Sequence, residues 1–210
     1  MATFTDTFTR ADENPLASPW ETLSATRLRI ISNVAKGGAS AFCLSGYLES
    51  VTNFGDNQYC QAVIASIGGS DNAGVGVRCV STAGGAGYIA YFSEEGASDR
   101  VYLRKFVAGV PTSLLTPVTT IANGDTLKVS VETSGSDAVI SVTVNDVHIT
   151  GSPYTDTVAA LTGGQPALYY DNGNTNATTI DTVEGGDIAA AGSNVNILSG
   201  KLAGLLGGKL

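Results

Sequence analysis

The sequence predicts an all-β protein in which two antiparallel sheets form a sandwich. Apolar and polar residues alternate with period two in nearly every segment, which is typical of strands with one buried face. Turn signals rich in Gly, Asn, Asp and Ser recur about every eight to twelve residues. Before residue 190 no helical period is convincing, apart from a turn near 158–161. Strands without intervening helices favour an antiparallel sandwich over βαβ units.

The predicted strands are short and are separated by these turns. They cover residues 4–8, 20–23, 28–34, 42–48, 59–67, 74–80, 88–92, 101–107, 147–149, 167–170 and 178–183. Two further strands form a hairpin around residues 134–137, and one face of it is predicted to lie in the core: Leu127, Val129, Val131, Ile140, Val142 and Val144. Asn145 and Asp146 are predicted to form a tight two-residue turn. The run 36–38 is predicted to connect two strands.

The composition fits one large domain with a sizeable core. The chain has 210 residues, of which 43% are apolar and 14% are charged, against an average of roughly 25% charged residues. The formal net charge is −8, and no basic stripe is present. Neither a nucleic acid nor an anionic membrane surface is therefore expected as a partner. No apolar run approaches the ~18 residues of a membrane span.

The cysteines predict a protein that folds in a reducing cytoplasm. Their number is odd, they form no C-x-x-C motif, and each lies in a predicted strand: Cys43, Cys60 and Cys79. Three reduced core thiols are the main interpretation, and one disulfide with a leftover thiol is the alternative. The first residues have neither a basic nor an apolar stretch, so no secretory signal is expected.

The composition changes after Asp187, which predicts a body over residues 1–188 and a separate C-terminal tail over 189–210. The tail has two lysines and no acidic residue. Its predicted attachment residues are apolar, and the first four have helical spacing: Val195, Leu198, Leu202, Leu205, Leu206 and Leu210. Its glycines oppose a stable isolated helix. The tail is therefore expected to become ordered only against a partner, and a terminus without a role is the alternative.

Several motifs of the body resemble concanavalin A-like (laminin-G-like) jelly-roll domains. The quoted runs are Asp6-Thr-Phe-Thr-Arg-Ala-Asp12 followed by Trp20, the strand, glycine turn and strand of Tyr102 to Leu115, Gly124-Asp-Thr-Leu127 with Val142-Thr-Val-Asn145, and Ile180-Asp-Thr-Val-Glu-Gly-Gly-Asp187. The resemblance spans about residues 2–188 and implies an antiparallel two-sheet jelly-roll sandwich. Such domains occur in glycoside hydrolases, lectins, adhesins and tailed-phage virion proteins, and this chain resembles the phage members most.

No catalytic group is expected. Glycosidases of this fold carry paired carboxylates in an E-x-D-x-x-E run on one strand, and the sequence has no such run. The acidic clusters around Glu94, Glu95 and Asp99 and around Glu184 and Asp187 are interpreted as turns. The single histidine, His148, is predicted to face solvent, so a triad through it is not expected.

One loop is a candidate ligand or ion site, formed by Tyr170, Asp171, Asn172 and Asn174. It offers oxygen ligands but lacks the bidentate glutamate of calcium loops. A zinc site and a cofactor are not expected. The pairs Tyr169 with Tyr170 and Tyr88 with Tyr91 could give an aromatic platform for a carbohydrate. The preferred interpretation is that one tyrosine of each pair packs inward and the other lies on the sheet surface.

These observations predict a non-enzymatic bacteriophage virion protein on the particle exterior, made in the cytoplasm of the host bacterium. It would be a capsid decoration protein or a fibre component that forms a homo-oligomer and attaches to a major capsid or tail protein through residues 189–210. The alternative is a lectin-like module that binds a carbohydrate or receptor, with a surface glycan as its partner.

Overall fold

The computed structural model describes residues 1–24, 26–38, 42–47, 54–68, 71–81, 85–95, 98–171 and 178–189. These residues form sixteen strands and confirm the predicted all-β fold. The strands are β1 Thr3–Asp6, β2 Trp20–Thr22, β3 Leu28–Ile31, β4 Val34–Gly37, β5 Cys43–Tyr47, β6 Gln58–Ser66, β7 Asn72–Val80, β8 Ala86–Glu95, β9 Ser98–Val107, β10 Val110–Leu115, β11 Thr126–Ser134, β12 Asp137–Val144, β13 Val147–His148, β14 Tyr154–Asp156, β15 Gln165–Asp171 and β16 Thr179–Asp187.

The strands form two antiparallel sheets that pack face to face. The nine-stranded sheet has the order β13-β12-β11-β6-β16-β4-β3, with β1 beside β16 and β14 beside β12. The seven-stranded sheet has the order β10-β9-β8-β7-β15-β5-β2. Because neighbours in each sheet are often far apart in the sequence, both sheets need most of the chain. The predicted antiparallel two-sheet sandwich is confirmed.

The hairpin of β11 and β12 supplies one wall of the core, as the alternation predicts. Leu127, Val129, Val131, Ile140 and Val142 are fully buried, and Val144 is partly buried against the same cluster. Val129 lies opposite Val142 in the register. The tight turn at Asn145 and Asp146 is also confirmed, since both residues have positive φ, of 50° and 62°.

Two predicted boundaries in residues 28–38 are wrong. The predicted strand 28–34 is a hairpin of β3 and β4, whose turn residues Ser32 and Asn33 have φ of 54° and 63°. The predicted connection at 36–38 begins inside a strand, because Lys36 and Gly37 belong to β4. Gly37 is needed there because a Cβ would overlap the ring of Tyr170. The first boundary was missed because the turn consists of polar residues without a glycine. The second was misplaced because Gly37, which is required for packing, was interpreted as a turn glycine.

The residues of the N-terminal motif bind one another through hydrogen bonds and ion pairs. The Asp6 carboxylate accepts hydrogen bonds from the Arg10 guanidinium and the Trp20 indole, both at 2.7 Å. The same carboxylate accepts one from the Phe8 backbone at 2.8 Å. Arg10 also pairs with Glu13 at 2.8 Å. These contacts hold the first loop against the core.

The three cysteines are buried and form no disulfide, in agreement with the prediction of three reduced core thiols. Burial raises the pKa of Cys60 and of Cys79, so both stay neutral in the core. The reducing compartment stays a prediction. The described part of the chain contains no helix long and apolar enough to cross a membrane.

Candidate functional site

The seven-stranded sheet has an inner face in the core and an outer face directed away from the other sheet. Alternation divides β9 between them. Leu103 and Lys105 lie on the inner side, whereas Tyr102, Arg104 and Phe106 lie on the outer side. The outer face is unusual because its centre is aromatic and its margins carry charged and amide groups.

Five rings form an aromatic cluster on the outer face, consisting of Phe42, Tyr91, Tyr102, Phe106 and Tyr169. Tyr91 and Tyr102 are cross-strand partners and stack with ring centroids 5.1 Å apart. Tyr91 and Tyr169 lie 4.9 Å apart. Tyr91 and Tyr169 are each 2% exposed. The rings therefore form a rigid floor rather than an open stacking surface.

Gly74 allows this floor to form. It lies between Tyr169 on β15 and Tyr91 on β8 in the register. A Cβ at this position would overlap the Ala90 carbonyl oxygen and the Tyr91 Cα. Because glycine has no side chain, the two rings can meet above its backbone.

Arg104 covers two of the rings. Its guanidinium carbon lies 4.8 Å from the Tyr102 ring centroid and 5.4 Å from that of Tyr91. Its Nε is buried and has no hydrogen-bond partner in the described residues. The ion pairs found there join Asp6 to Arg10, Arg10 to Glu13 and Lys105 to Asp156. Arg104 is thus a half-buried cation without a protein acceptor at Nε within the described ranges.

Asn72 and Asp171 flank the aromatic cluster as direct cross-strand partners. The Asn72 Oδ1 is buried and lacks a hydrogen-bond partner among the described residues. Burial raises the pKa of the Asp171 carboxyl above its ordinary value, while the Tyr169 hydroxyl and the Arg104 charge oppose that rise. Burial also raises the pKa of Tyr169 well above its ordinary value.

We define the outer-face site as Asn72, Tyr91, Tyr102, Arg104, Tyr169 and Asp171. It offers donors from Arg104, both donors and acceptors from the Asn72 amide, and acceptors from Asp171. The other described carboxylate of this face, Glu21, accepts a hydrogen bond from Gln165 Nε2 at 2.5 Å. This set can bind a polar ligand and is not arranged as a pair of catalytic carboxylates.

The predicted ligand loop is only partly within the described structure. Asp171 lies in the outer-face site, whereas Asn172 and Asn174 lie outside the described residues. Tyr170 is fully buried in the core. Its hydroxyl donates to the Thr178 carbonyl and lies 3.3 Å from Asp71 Oδ2. Tyr170 therefore braces this loop from the inside and does not face a ligand.

The two tyrosine pairs do not form an open aromatic platform within the described residues. Each pair divides between the faces, as predicted, because Tyr88 and Tyr170 belong to the core and Tyr91 and Tyr169 to the outer face. The outward rings are nevertheless covered. The Tyr88 hydroxyl donates to Asp156 Oδ2 at 2.6 Å.

Glu184 and Asp187 lie in β16, so the turn predicted for them is wrong, and both have structural partners. Glu184 accepts hydrogen bonds from Tyr59 at 2.6 Å and Gln61 at 3.2 Å. Burial and this carboxylate raise the pKa of Tyr59 to about 12. Asp187 accepts backbone hydrogen bonds from Ala2 at 2.9 Å and Gly55 at 2.8 Å.

Two further predictions concern the acidic turn and the histidine. Glu94 and Glu95 belong to β8 and Asp99 to β9, so the predicted turn there is shorter than expected. His148 is exposed, as predicted, and its Nδ1 lies 3.1 Å from the Ser152 hydroxyl.

The predicted attachment residues of the tail, Val195 to Leu210, lie outside the described residues, so their role stays a prediction. The described part of the chain contains no cluster of three or more His, Cys, Asp or Glu side chains that could hold a metal ion.

The sequence analysis missed Asn72, Tyr102 and Arg104. A signal for Tyr102 was present, because Tyr91 and Tyr102 are equally distant from Gly96 and Ala97, the residues between β8 and β9. Pairing outward from that connection places the two rings side by side. No comparable local signal identifies Asn72, whose partner Asp171 is far away in the sequence.

No family model and no curated protein sequence matches this chain. Solved structures do match it. A carbohydrate-binding module, CBM66 of Bacillus subtilis, is similar with a TM-score of 0.54 and 16% identity, over 78% of this chain and 91% of that one. A lichenase from a mouse hindgut metagenome gives 0.57 and 10%, over 90% and 100% of the two chains. This chain has the concanavalin A-like jelly-roll fold.

A third similar structure is the legume lectin-like domain from Entamoeba histolytica, with a TM-score of 0.50 and 10% identity over 81% of this chain and 91% of that one. These identities show a shared concanavalin A-like fold and no more. Binding modules and a hydrolase both occur among the similar structures, so the fold leaves both activities open. No virion protein is among these three, and the predicted virion role has no support from them.

Proposed function

We propose that this chain is a carbohydrate-binding module that holds a glycan at the outer-face site. One observation carries the proposal. Beside a rigid floor of stacked tyrosines, the Arg104 Nε and the Asn72 Oδ1 are buried without hydrogen-bond partners in the described residues. Buried polar atoms normally have a partner, and a ligand with many hydroxyl groups supplies such partners.

The chemistry of the site matches a saccharide. Sugar hydroxyls both donate and accept hydrogen bonds, and an amide beside a carboxylate can serve both functions. Asn72 and Asp171 are held in register by the antiparallel pairing of β7 with β15. Rigid strands are better supports for such groups than loops. The proposal is also supported by similar structures described as a carbohydrate-binding module and a lectin-like domain.

The proposed module is non-catalytic. Glycosidases need two carboxyl groups on either side of the scissile bond, whereas Asp171 lies beside an amide and Glu21 is engaged by Gln165. A place on a phage particle is compatible with glycan binding, but no contact within the described residues favours it. The tail residues Val195, Leu198, Leu202, Leu205, Leu206 and Leu210 would then serve attachment and not recognition.

The test is binding of the full chain to a glycan microarray, followed by titration calorimetry with the best ligand. Asn72→Ala should weaken binding about tenfold, because one hydrogen bond to a buried group is lost. Lys128→Ala is the matched control. Lys128 also lies over a tyrosine ring, 5.2 Å from the Tyr59 centroid, but on the nine-stranded sheet.

Binding of no glycan would contradict the proposal, as would equal loss of affinity in the Lys128→Ala control. Catalysis is tested separately by release of reducing ends from β-glucans. Sustained turnover that disappears in Asp171→Asn would show that the site is an active site.

A further inference from the structure

We infer that the glycan of the outer-face site carries a carboxylate, as a uronic acid does, and that Arg104 binds this group. The inference rests on the proposed function and adds the chemical class of the ligand. It follows from the surroundings of Arg104, from the order of groups along the face and from the geometry of the guanidinium.

Two other buried cations of the sandwich, Arg78 and Lys105, have an acceptor at every side-chain nitrogen. Arg78 is 1% exposed and donates to the Asp56 carbonyl at 2.8 Å, the Leu161 carbonyl at 2.5 Å and the Thr133 hydroxyl at 2.7 Å. Lys105 is paired with the Asp156 carboxylate at 2.7 Å. Arg104 differs, because the described residues give it ring contacts and no carboxylate within ion-pair distance, and Asp171 acts on it only through longer-range electrostatics. A half-buried charge of this kind favours an anionic ligand.

The tyrosine rings leave Arg104 suited to a planar anion. A guanidinium that lies over an aromatic ring is attracted through its flat face. Its N–H groups then point outward in the plane of the group, where they form a fork. A carboxylate matches this fork with two parallel hydrogen bonds and brings a negative charge, whereas a hydroxyl satisfies one N–H and brings no charge.

The face also predicts which end of the ligand is acidic. Along the strands, Asp171 and Asn72 form one row, Tyr169 and Tyr91 form the next, and Arg104 follows beyond Tyr102. The carboxylate of the ligand would lie at the Arg104 end. Its hydroxyl groups would lie at the end with Asn72 and Asp171. Arg100 lies on the same row, two strands from Asn72, but donates to the Thr116 carbonyl at 3.2 Å.

The experiment compares matched ligands that differ only in charge. Oligosaccharides of polygalacturonate, alginate and hyaluronate, and sialylated lactose, are titrated into the full chain beside their carboxyl-reduced forms. At least one acidic ligand should bind about tenfold more tightly than its reduced form, because a charge-assisted pair is lost on reduction. This preference should weaken with added salt.

Variants assign the preference to Arg104. Arg104→Gln should bind the acidic and reduced forms equally, and Arg104→Lys should restore only part of the preference because it lacks the fork. Lys128→Gln should keep the wild-type preference. Melting temperatures near the wild-type value will show that each variant is folded.

The outcomes separate the two proposals. If neutral glycans bind as tightly as acidic ones and Asn72→Ala weakens both, the inference of a carboxylated ligand is wrong and the proposed glycan binding is retained. Tighter binding of dextran sulfate than of every carboxylated ligand would also contradict the inference that the ligand carries a carboxylate. If Arg104→Gln still prefers the acidic forms, another group binds the carboxylate and the assignment to Arg104 is wrong. If no glycan of any kind binds, both proposals fail.

Discussion

Lys105 and Arg104 are neighbours on β9, yet the two faces of the sheet treat their charges in opposite ways. On the inner face, the Lys105 ammonium donates to Asp156 at 2.7 Å, to the Val158 carbonyl at 2.6 Å and to the Ala159 carbonyl at 2.8 Å. On the outer face, Arg104 has two tyrosine rings and no described carboxylate within ion-pair distance. A charge with every partner supplied by the chain stabilises the fold, whereas one lacking them is available to a ligand.

The same contrast applies to the carboxylates. Burial alone would raise the pKa of Asp156, but the Lys105 ammonium and the Tyr88 hydroxyl outweigh it and hold this pKa below its ordinary value. In the outer-face site, burial raises the pKa of Asp171 and the opposing groups do not cancel it. The inner carboxylate is therefore stabilised in its charged form, and the outer one is destabilised.

The largest effect is expected for Lys105→Met. Removal of the ammonium leaves the Asp156 charge buried with the Tyr88 hydroxyl and backbone groups as its remaining partners. Breaking a buried ion pair from one side costs about 3–5 kcal/mol of unfolding free energy. Urea unfolding at pH 7 measures it. The control Lys128→Met should change the unfolding free energy by no more than about 0.5 kcal/mol. An equally small change for Lys105→Met would contradict the contrast between the two faces.

A smaller effect is expected for Tyr88→Phe on the inner face. The Tyr88 hydroxyl donates to Asp156 at 2.6 Å and accepts from the Leu161 backbone at 2.9 Å. Its removal leaves both groups short of a partner and should cost about 1–3 kcal/mol. Glycan affinity should not change. Thermal unfolding and calorimetry on one preparation check both statements, and a loss of affinity would show that the faces are coupled.

The smallest effect, and one of opposite sign, is expected for Asp171→Asn. The folded pKa of Asp171 lies above its unfolded value, so its stabilising contribution is present below about pH 4 and is lost as the pH rises through the folded value. Removing the charge should therefore raise the melting temperature slightly at pH 7. The difference should vanish near pH 3. A lower melting temperature at pH 7 would mean that Asp171 supports the fold.

Much of the sandwich could be predicted from alternation alone. The buried face of β11 and β12 follows from period two, because each inward residue has an inward neighbour two positions away. The turn at Ser32 and Asn33 was missed because neither residue is a glycine, although both have positive φ. The short strand β14 was missed too, and with it Asp156, because three residues carry too little periodicity.

The outer-face site was harder to predict because it depends on long-range register. Tyr91 and Tyr102 belong to adjacent strands joined by a short connection, so local counting could have paired them. Tyr169 meets them only because β15 pairs with β7 across Gly74. A one-residue shift of β15 would exchange Tyr169 with Tyr170 and place Asp171 in the core. No local pattern determines that register.

The central claim is tested most directly by giving the two neighbouring cations the same replacement. Arg104→Met and Lys105→Met are compared for melting temperature and for affinity toward the best glycan at a temperature where both are folded. We expect Lys105→Met to lose stability and keep its affinity, and Arg104→Met to lose affinity about tenfold with little change in stability. Equal destabilisation by both variants, with unchanged glycan affinity in Arg104→Met, would contradict the account.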